Sequence, residues 1–172
     1  MGRKLSLIRV DSKYCDYLRI FDKRVPFNHG NKKDRPFVGV LFEIKGCKYF
    51  APLSSPKAKH LRLKSKMDLL KIDNGKLGVI NFNNMIPVND ESIIFVDFEN
   101  DKYSKLLIEQ LYWLNRHVQK IYKMSQKLYF GYLNNKLNVS LRDRCCNFKL
   151  LEEKCLEYKS EVGQGFCYNY VC

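Results

Sequence analysis

No stretch of this 172-residue sequence approaches the roughly 18 consecutive apolar residues of a membrane-spanning helix. The first residues lack the apolar core of a signal peptide. Neither a basic amphipathic helix nor a lipidation signal ties the chain to a lipid surface. The expectation is a cytoplasmic protein with no membrane partner. Cysteine is present, but metal-ligand spacing is not. Cys15, Cys47, Cys145, Cys146, Cys155, Cys167 and Cys172 make an odd count of seven and contain no C-x-x-C pair. Neither a disulfide framework nor a zinc site is indicated, and these residues are expected to be small buried hydrophobes. No metal and no cofactor is expected. The sequence has no internal repeat and no low-complexity segment.

Acidic residues are the other shortage: 18 Asp and Glu face 31 Lys and Arg, for a formal net charge of +13. A field of that sign draws in polyanions, and nucleic acid is the first partner to consider. With 45% hydrophobic and 13% aromatic residues, the chain has material for a real core and reads as one domain over residues 1–172.

Taken in order, a strand is expected over Leu5 to Val10, then a helix from Ser12, the expected N-cap, with Tyr14, Tyr17, Leu18 and Phe21 on one face. It should stop before Val25-Pro26. Phe27 to Arg35 is a polar loop carrying Lys32, Lys33 and Arg35, which the simplest reading makes a solvated connector. Pro36 to Ile44 reads as a central strand with Gly39 marking a bulge or close packing. Lys45-Gly46 turns it back into an antiparallel strand, Cys47 to Leu53. Three further strands are expected at Asp68 to Ile72, Leu77 to Asn81 and Ser92 to Phe98, with Asn74-Gly75 turning the first into the second. Asn84 to Val88 reads as a bend held by Pro87, with Met85 and Ile86 plugging the core.

Past residue 100 the apolar period changes from two to 3.6. Asp101 can cap one long helix with Leu106, Leu107, Gln110, Leu111, Leu114, Val118 and Ile121 on its face, followed by a shorter one over Gln126 to Asn134. Asn147 caps a last helix through Tyr158. Residues 161–172 read as an irregular tail. Strands first and helices after give an α+β fold built on a strongly twisted, mostly antiparallel sheet.

The chemistry concentrates where the hairpin ends, in Tyr49-Phe50-Ala51-Pro52-Leu53-Ser54-Ser55-Pro56-Lys57-Ala58-Lys59-His60. Hydroxyls, backbone amides and a lysine at one strand end suit a phosphate better than a carboxylate or a metal. Lys32, Lys33 and Arg35 in the loop, with Lys59, His60, Arg62 and Lys64 beyond the hairpin, are the candidate RNA-binding residues. His60 and His29 are each expected to be exposed spectators, and His117 structural. A Ser-Ser-Pro-Lys segment after a strand is often only a turn. It could also serve a Ser-Lys amide hydrolase, which has no need of this charge, or a non-catalytic RNA-binding protein, which does.

The segments Arg35-Pro36-Phe37-Val38-Gly39-Val40-Leu41, Lys48 to Lys57, Leu77 to Asn81, Asn84 to Pro87 and Cys146 to Lys154 resemble, in order, the type III toxin-antitoxin endoribonucleases of the ToxN/AbiQ family. The likeness covers about residues 5 to 160, and Ala51-Pro52-Leu53-Ser54-Ser55-Pro56-Lys57 is its most specific part. It implies a single domain similar to the MazF/Kid toxins. It implies a metal-independent ribonuclease that cuts adenine-rich single-stranded RNA, leaving a 2',3'-cyclic phosphate and a 5'-hydroxyl. A repeated pseudoknot antitoxin RNA, cut into units by the toxin itself, would neutralise it in a closed RNA-protein assembly. Cellular or phage RNA would be the target, in abortive infection.

The family's catalytic Thr/Ser, Ser and Lys fall on Ser54, Ser55 and Lys57. Some relatives carry a tyrosine in the loop before Pro36, where this chain has Phe27, Asn28 and His29. In cleavage of this kind the substrate's own 2'-hydroxyl is the nucleophile. The protein must align it, stabilise phosphorane charge and help move two protons. Ser54 and Ser55 can donate to the non-bridging oxygens, and Lys57 can supply charge beside them. Crowding by Lys59 would lower the Lys57 pKa and let it act as a base instead, and both roles stay open.

Overall fold

The computed structural model describes residues 4–158. The expected irregular tail, Cys167 and Cys172 lie outside them. The architecture is α+β, with all strand pairs antiparallel. The described strands are β1 (Ser6–Val10), β2 (Phe37–Gly39), β3 (Glu43–Ile44), β4 (Cys47–Ser54), β5 (Leu69–Lys71), β6 (Val79–Asn81), β7 (Ile86–Val88) and β8 (Ile93–Phe95). The helices are α1 (Ser12–Phe21), α2 (Ala58–Arg62), α3 (Ser104–Arg116), α4 (Val118–Leu133), α5 (Val139–Arg144) and α6 (Phe148–Glu157).

The sheet runs β5-β6-β4-β2-β1-β8, and β3 and β7 also pair with β4. The first half of β4 bonds to β3 (Glu43 opposite Lys48) and β7 (Tyr49 opposite Pro87). Its second half bonds to β2 (Val38 opposite Ala51) and β6 (Ser54 opposite Val79). Residues 49–53 are buried, so β4 is the spine of the domain.

Several sequence expectations change in detail. The Pro36 to Ile44 strand is two strands, because Leu41 and Phe42 both face Tyr49, whose amide and carbonyl bond to one each: a bulge. Gly39 beside it is needed for close approach, since a Cβ there would sit 2.5 Å from the Phe50 ring. The expected bend at Asn84 to Val88 contains strand β7, with Met85 and Ile86 fully buried as anticipated. Pro87 is tolerated because β7 pairs with β4 alone. Helix α1 is capped by Asp11, not Ser12: its carboxylate accepts from the Lys13 amide at 2.7 Å. The single long helix after Asp101 is α3 and α4, separated at His117. The expected 126–134 segment is the second half of α4. The His117 ring stacks on Trp113, centroids 3.8 Å apart, with Nδ1 against the Trp113 carbonyl at 2.8 Å, a structural role. Asn147 caps α6 as expected, accepting from the Leu150 amide.

Helix α6 lies on β7 and β4, with α1 against it. It buries Glu152 in an aromatic nest, where one carboxylate oxygen accepts from the hydroxyls of Tyr49 (2.8 Å) and Tyr129 (2.6 Å). Burial and the Glu152 charge hold both tyrosines above their ordinary pKa. Cys15, Cys47, Cys145, Cys146 and Cys155 are buried free thiols, as small apolar fillers should be. Burial pushes Cys15 up to about 12 and Cys145 up to about 11, so both stay protonated.

Candidate active site

Ser54 is the last residue of β4, and the chain leaves the sheet through Ser55 and Pro56 to Lys57, which precedes the first turn of α2. Ser54 is half-buried, while Ser55 and Lys57 are exposed. The strand end is held on both sides. The Leu53 amide bonds to the Pro36 carbonyl at 2.9 Å. On the other side, Asn81 Nδ2 donates to Ser54 Oγ at 2.9 Å, which leaves the Ser54 hydroxyl proton free to be donated elsewhere. Gly78, at φ +102°, lies so close that a Cβ would stand 2.1 Å from the Ser54 carbonyl oxygen. Only glycine satisfies both the dihedral and the contact.

This strand end opens into a cavity of about 380 Å³ with three walls. One is β4 and its continuation: Leu53, Ser54, Ser55 and Lys57. The second is the polar loop, with Asn31, Lys32, Asp34, Arg35 and Pro36. The third is the start of α3, with Tyr103, Leu106, Leu107 and Gln110. The loop and α3 are clamped by charge. Asp34 pairs with Lys102 at 2.7 Å, Arg9 Nε donates to the Asp34 carbonyl at 3.2 Å, and the Arg9 guanidinium pairs with Asp101. The hydrogen bond from Lys102 holds the Asp34 carboxyl below its ordinary pKa. Arg35 is half-buried, and among the described residues its guanidinium has no ion pair or hydrogen bond. Burial lowers its pKa, yet it remains a cation. A desolvated guanidinium sharing one cavity with two hydroxyls and a lysine has the chemistry that suits a phosphate.

The structure thus brings together Ser54, Ser55, Lys57, Lys32 and Arg35 from two distant segments. Lys33 is exposed outside the cavity, and Lys59 and Arg62 are exposed on α2. Lys64 lines a second cavity of about 470 Å³ with Lys71, Trp113, His117 and Lys120, so the basic run does not form one wall. His60 departs from its expected exposure: it is 3% exposed and its Nδ1 has no partner. The turn of α2 swings it inward, and burial, with Lys59 and Lys57 nearby, lowers its pKa. His29 stays on the surface, paired with Asp16 at 2.6 Å. Among the described residues no three His, Cys, Asp or Glu side chains cluster as metal ligands would, and no helix is long and apolar enough to cross a membrane. Sequence reasoning did not single out Asn81 or Tyr103 for the site, and it read Gln110 only as part of a helix face. Asn81 was within reach of it, as a polar strand residue in the segment quoted for the resemblance.

Residues 6–156 match the family model for toxin ToxN of type III toxin-antitoxin systems. The chain belongs to the ToxN family. An endoribonuclease ToxN from Bacillus thuringiensis subsp. kurstaki is 34% identical over 160 residues, covering 87% of this chain and 82% of the relative. AbiQ, a lactococcal anti-phage endoribonuclease of the type III systems, superposes with a TM-score of 0.79 at 28% identity, covering 91% of this chain and 98% of its own. A second solved structure concerns selective toxin inhibition by a non-coding RNA pseudoknot in bacterial type III systems. It gives a TM-score of 0.77 at 29% identity, covering 92% of this chain and 100% of the other. These two structures share the overall fold described above.

Proposed function

We propose that this ToxN-family endoribonuclease cleaves single-stranded, adenine-rich RNA in the cavity at the end of β4, using the RNA's own 2'-hydroxyl as nucleophile. The observation that carries this reading is the convergence of Ser54, Ser55 and Lys57 with Lys32 and the unpaired Arg35 around one cavity. Lys32 and Arg35 seat the phosphates flanking the cut. Ser54, its hydroxyl oriented by Asn81, and Ser55 donate to the non-bridging oxygens of the scissile phosphate. Lys57 places a full charge beside them as the phosphorane forms. The 2'-hydroxyl gives up its proton to solvent water as its oxygen bonds to phosphorus, the bond from phosphorus to the 5'-oxygen breaks, the 5'-oxygen takes up a proton from water, and the products are a 2',3'-cyclic phosphate and a 5'-hydroxyl.

By the same family membership, the protein works in the cytoplasm as the toxin of an anti-phage system. A pseudoknot antitoxin RNA, which the toxin itself cuts into units, holds it in a closed RNA-protein assembly. The exposed cations outside the cavity, Lys33, Lys59, Arg62 and Lys64, are available to that larger ligand, and buried His60 is not.

Single-turnover cleavage of an adenine-rich RNA, with end-group analysis and a binding measurement on the same protein, tests this. Lys57→Ala should lower the cleavage rate on the order of a hundredfold or more, with binding much less affected because many cations share the backbone. Folded Lys57→Ala cleaving near the wild-type rate would overturn the assignment. Binding without new 5'-hydroxyl ends in the wild type would favour a non-catalytic RNA-binding protein.

A further inference from the structure

We propose that the second cavity is an RNA exosite. A single strand seated in the cleavage cavity continues along α3 and places a base and its phosphates among Trp113, His117, Lys64, Lys71 and Lys120. This rests on the first cavity being the cleavage site.

The two cavities share their walls. Leu106 and Gln110 line the first, and Trp113 and His117 line the second. Spacings of four, three and four residues put all four on one stripe of α3. Leu106 to His117 is eleven residues, about 16 Å at roughly 1.5 Å each. Opposite this stripe, the chain runs from Lys57 at the first cavity, through α2 with its exposed Lys59 and Arg62, to Lys64 at the second. A stacked strand rises about 3.4 Å per nucleotide and covers that distance in about five nucleotides.

The lining of the second cavity suits such a ligand. It holds three lysines and a single acid, Asp73. Among the described residues none of the three lysines is in an ion pair. The Lys71 ammonium donates to the Leu61 carbonyl at 3.0 Å, which holds it in place with donors to spare. Lys120 stands in the first turn of α4, where the helix dipole disfavours a cation, so helix stability does not account for it. Beside the lysines, the stacked rings of Trp113 and His117 form a flat pair, held by the contact of His117 Nδ1 with the Trp113 carbonyl. Cations along a backbone, beside aromatic rings on which bases stack, are what sequence-tolerant binding of a single strand requires. The exosite therefore adds affinity for longer RNA rather than a choice of base.

Trp113 is the only tryptophan in the chain, so its emission reports on the second cavity directly. The test titrates the protein with single-stranded RNAs that share a mapped cut site and are lengthened one nucleotide at a time at either end. A 2'-deoxynucleotide at the cut removes the nucleophile and keeps them intact. The shortest should bind without changing the emission. At one end, extension by up to about five nucleotides should quench it, and affinity should rise in the same step about fivefold to a hundredfold, the worth of one base on an aromatic ring. Lys120→Glu should abolish both changes while cleaving the shortest unmodified RNA at the wild-type rate, and an acid at that helix start favours folding. No quenching at any length would overturn the inference, as would an affinity gain that survives in Lys120→Glu. Quenching by the shortest RNA or by adenosine monophosphate would also overturn it, making the cavity an independent nucleotide pocket. If Lys120→Glu does not fold, the wild-type length series decides alone. Cutting of the deoxy-substituted RNAs, or full activity in Lys57→Ala, would instead overturn the reading of the cleavage cavity.

Discussion

Replacing Gly78 with alanine should damage the site without touching any residue that meets the substrate. The new Cβ would stand 2.1 Å from the Ser54 carbonyl oxygen, and Cβ atoms do not approach heavy atoms closer than 3.0 Å. The end of β4 must therefore retreat by about 0.9 Å from β6, and a misplacement of about 1 Å commonly costs on the order of a hundredfold in rate. The backbone adds its own cost, because φ is +102° and a non-glycine residue there carries about 1–3 kcal/mol of strain. For a domain of this size that corresponds to a fall in Tm of roughly 2–12 °C. Gly46→Ala separates the two effects. Gly46 also has a positive φ, +82°, but nothing lies within 4 Å of its Cβ position. It should lose stability and keep its activity. Thermal melts and single-turnover cleavage below both melting points give the comparison. If Gly78→Ala cleaves RNA as fast as Gly46→Ala, the packing of Gly78 on Ser54 does not set the geometry of the site.

Two further outcomes are expected. The lowered pKa of buried His60 means that the unfolded chain takes up a proton before the native one does. Stability should therefore fall as the pH drops below the unfolded value of about 6.5 and level off once the native ring titrates. His60→Leu should flatten Tm between pH 5 and 7.5, and a wild-type Tm independent of pH over that range would count against a neutral buried ring. Glu152→Ala strands the Tyr129 hydroxyl and leaves the Tyr49 hydroxyl only the long contact to the Phe148 carbonyl at 3.5 Å, at about 1–3 kcal/mol each. Urea denaturation should show a loss of about 2–6 kcal/mol, most of it recovered in Glu152→Gln, which keeps an acceptor. Equal stability of the two variants would mean that the hydroxyls find other partners.

Much of this molecule was legible in its sequence where the signal is local. Lys45-Gly46 marks the hairpin, and Asn147 marks the start of α6. The hydroxyls and lysine that end β4 stand next to one another in the chain. Other features depend on contacts that sequence spacing does not encode. The break at His117 is hidden because Leu114, Val118 and Ile121 keep helical spacing across it. Strand β7 is masked by Pro87, a poor strand residue except where pairing is one-sided. His60 lies in a run of cations that reads as surface, and only the turn of α2 carries its ring inward. Asn81 and Ser54 lie 27 residues apart, and their contact exists only once β4 and β6 are paired. Gln110 was placed correctly on the inner face of its helix, but its bond from Nε2 to the Leu77 carbonyl is visible only in the fold.

The three walls of the cavity also set a timetable for the nascent toxin. The loop and the end of β4 are complete by Lys57, but the third wall ends at Gln110. At about 5–20 residues per second, the ribosome needs roughly another 3–10 s to supply it. The edge strand β8, which closes on β1, also arrives in that interval. A half-made chain therefore carries its serines and lysine on an open strand end, before the helix that forms the third wall of the cavity has been made.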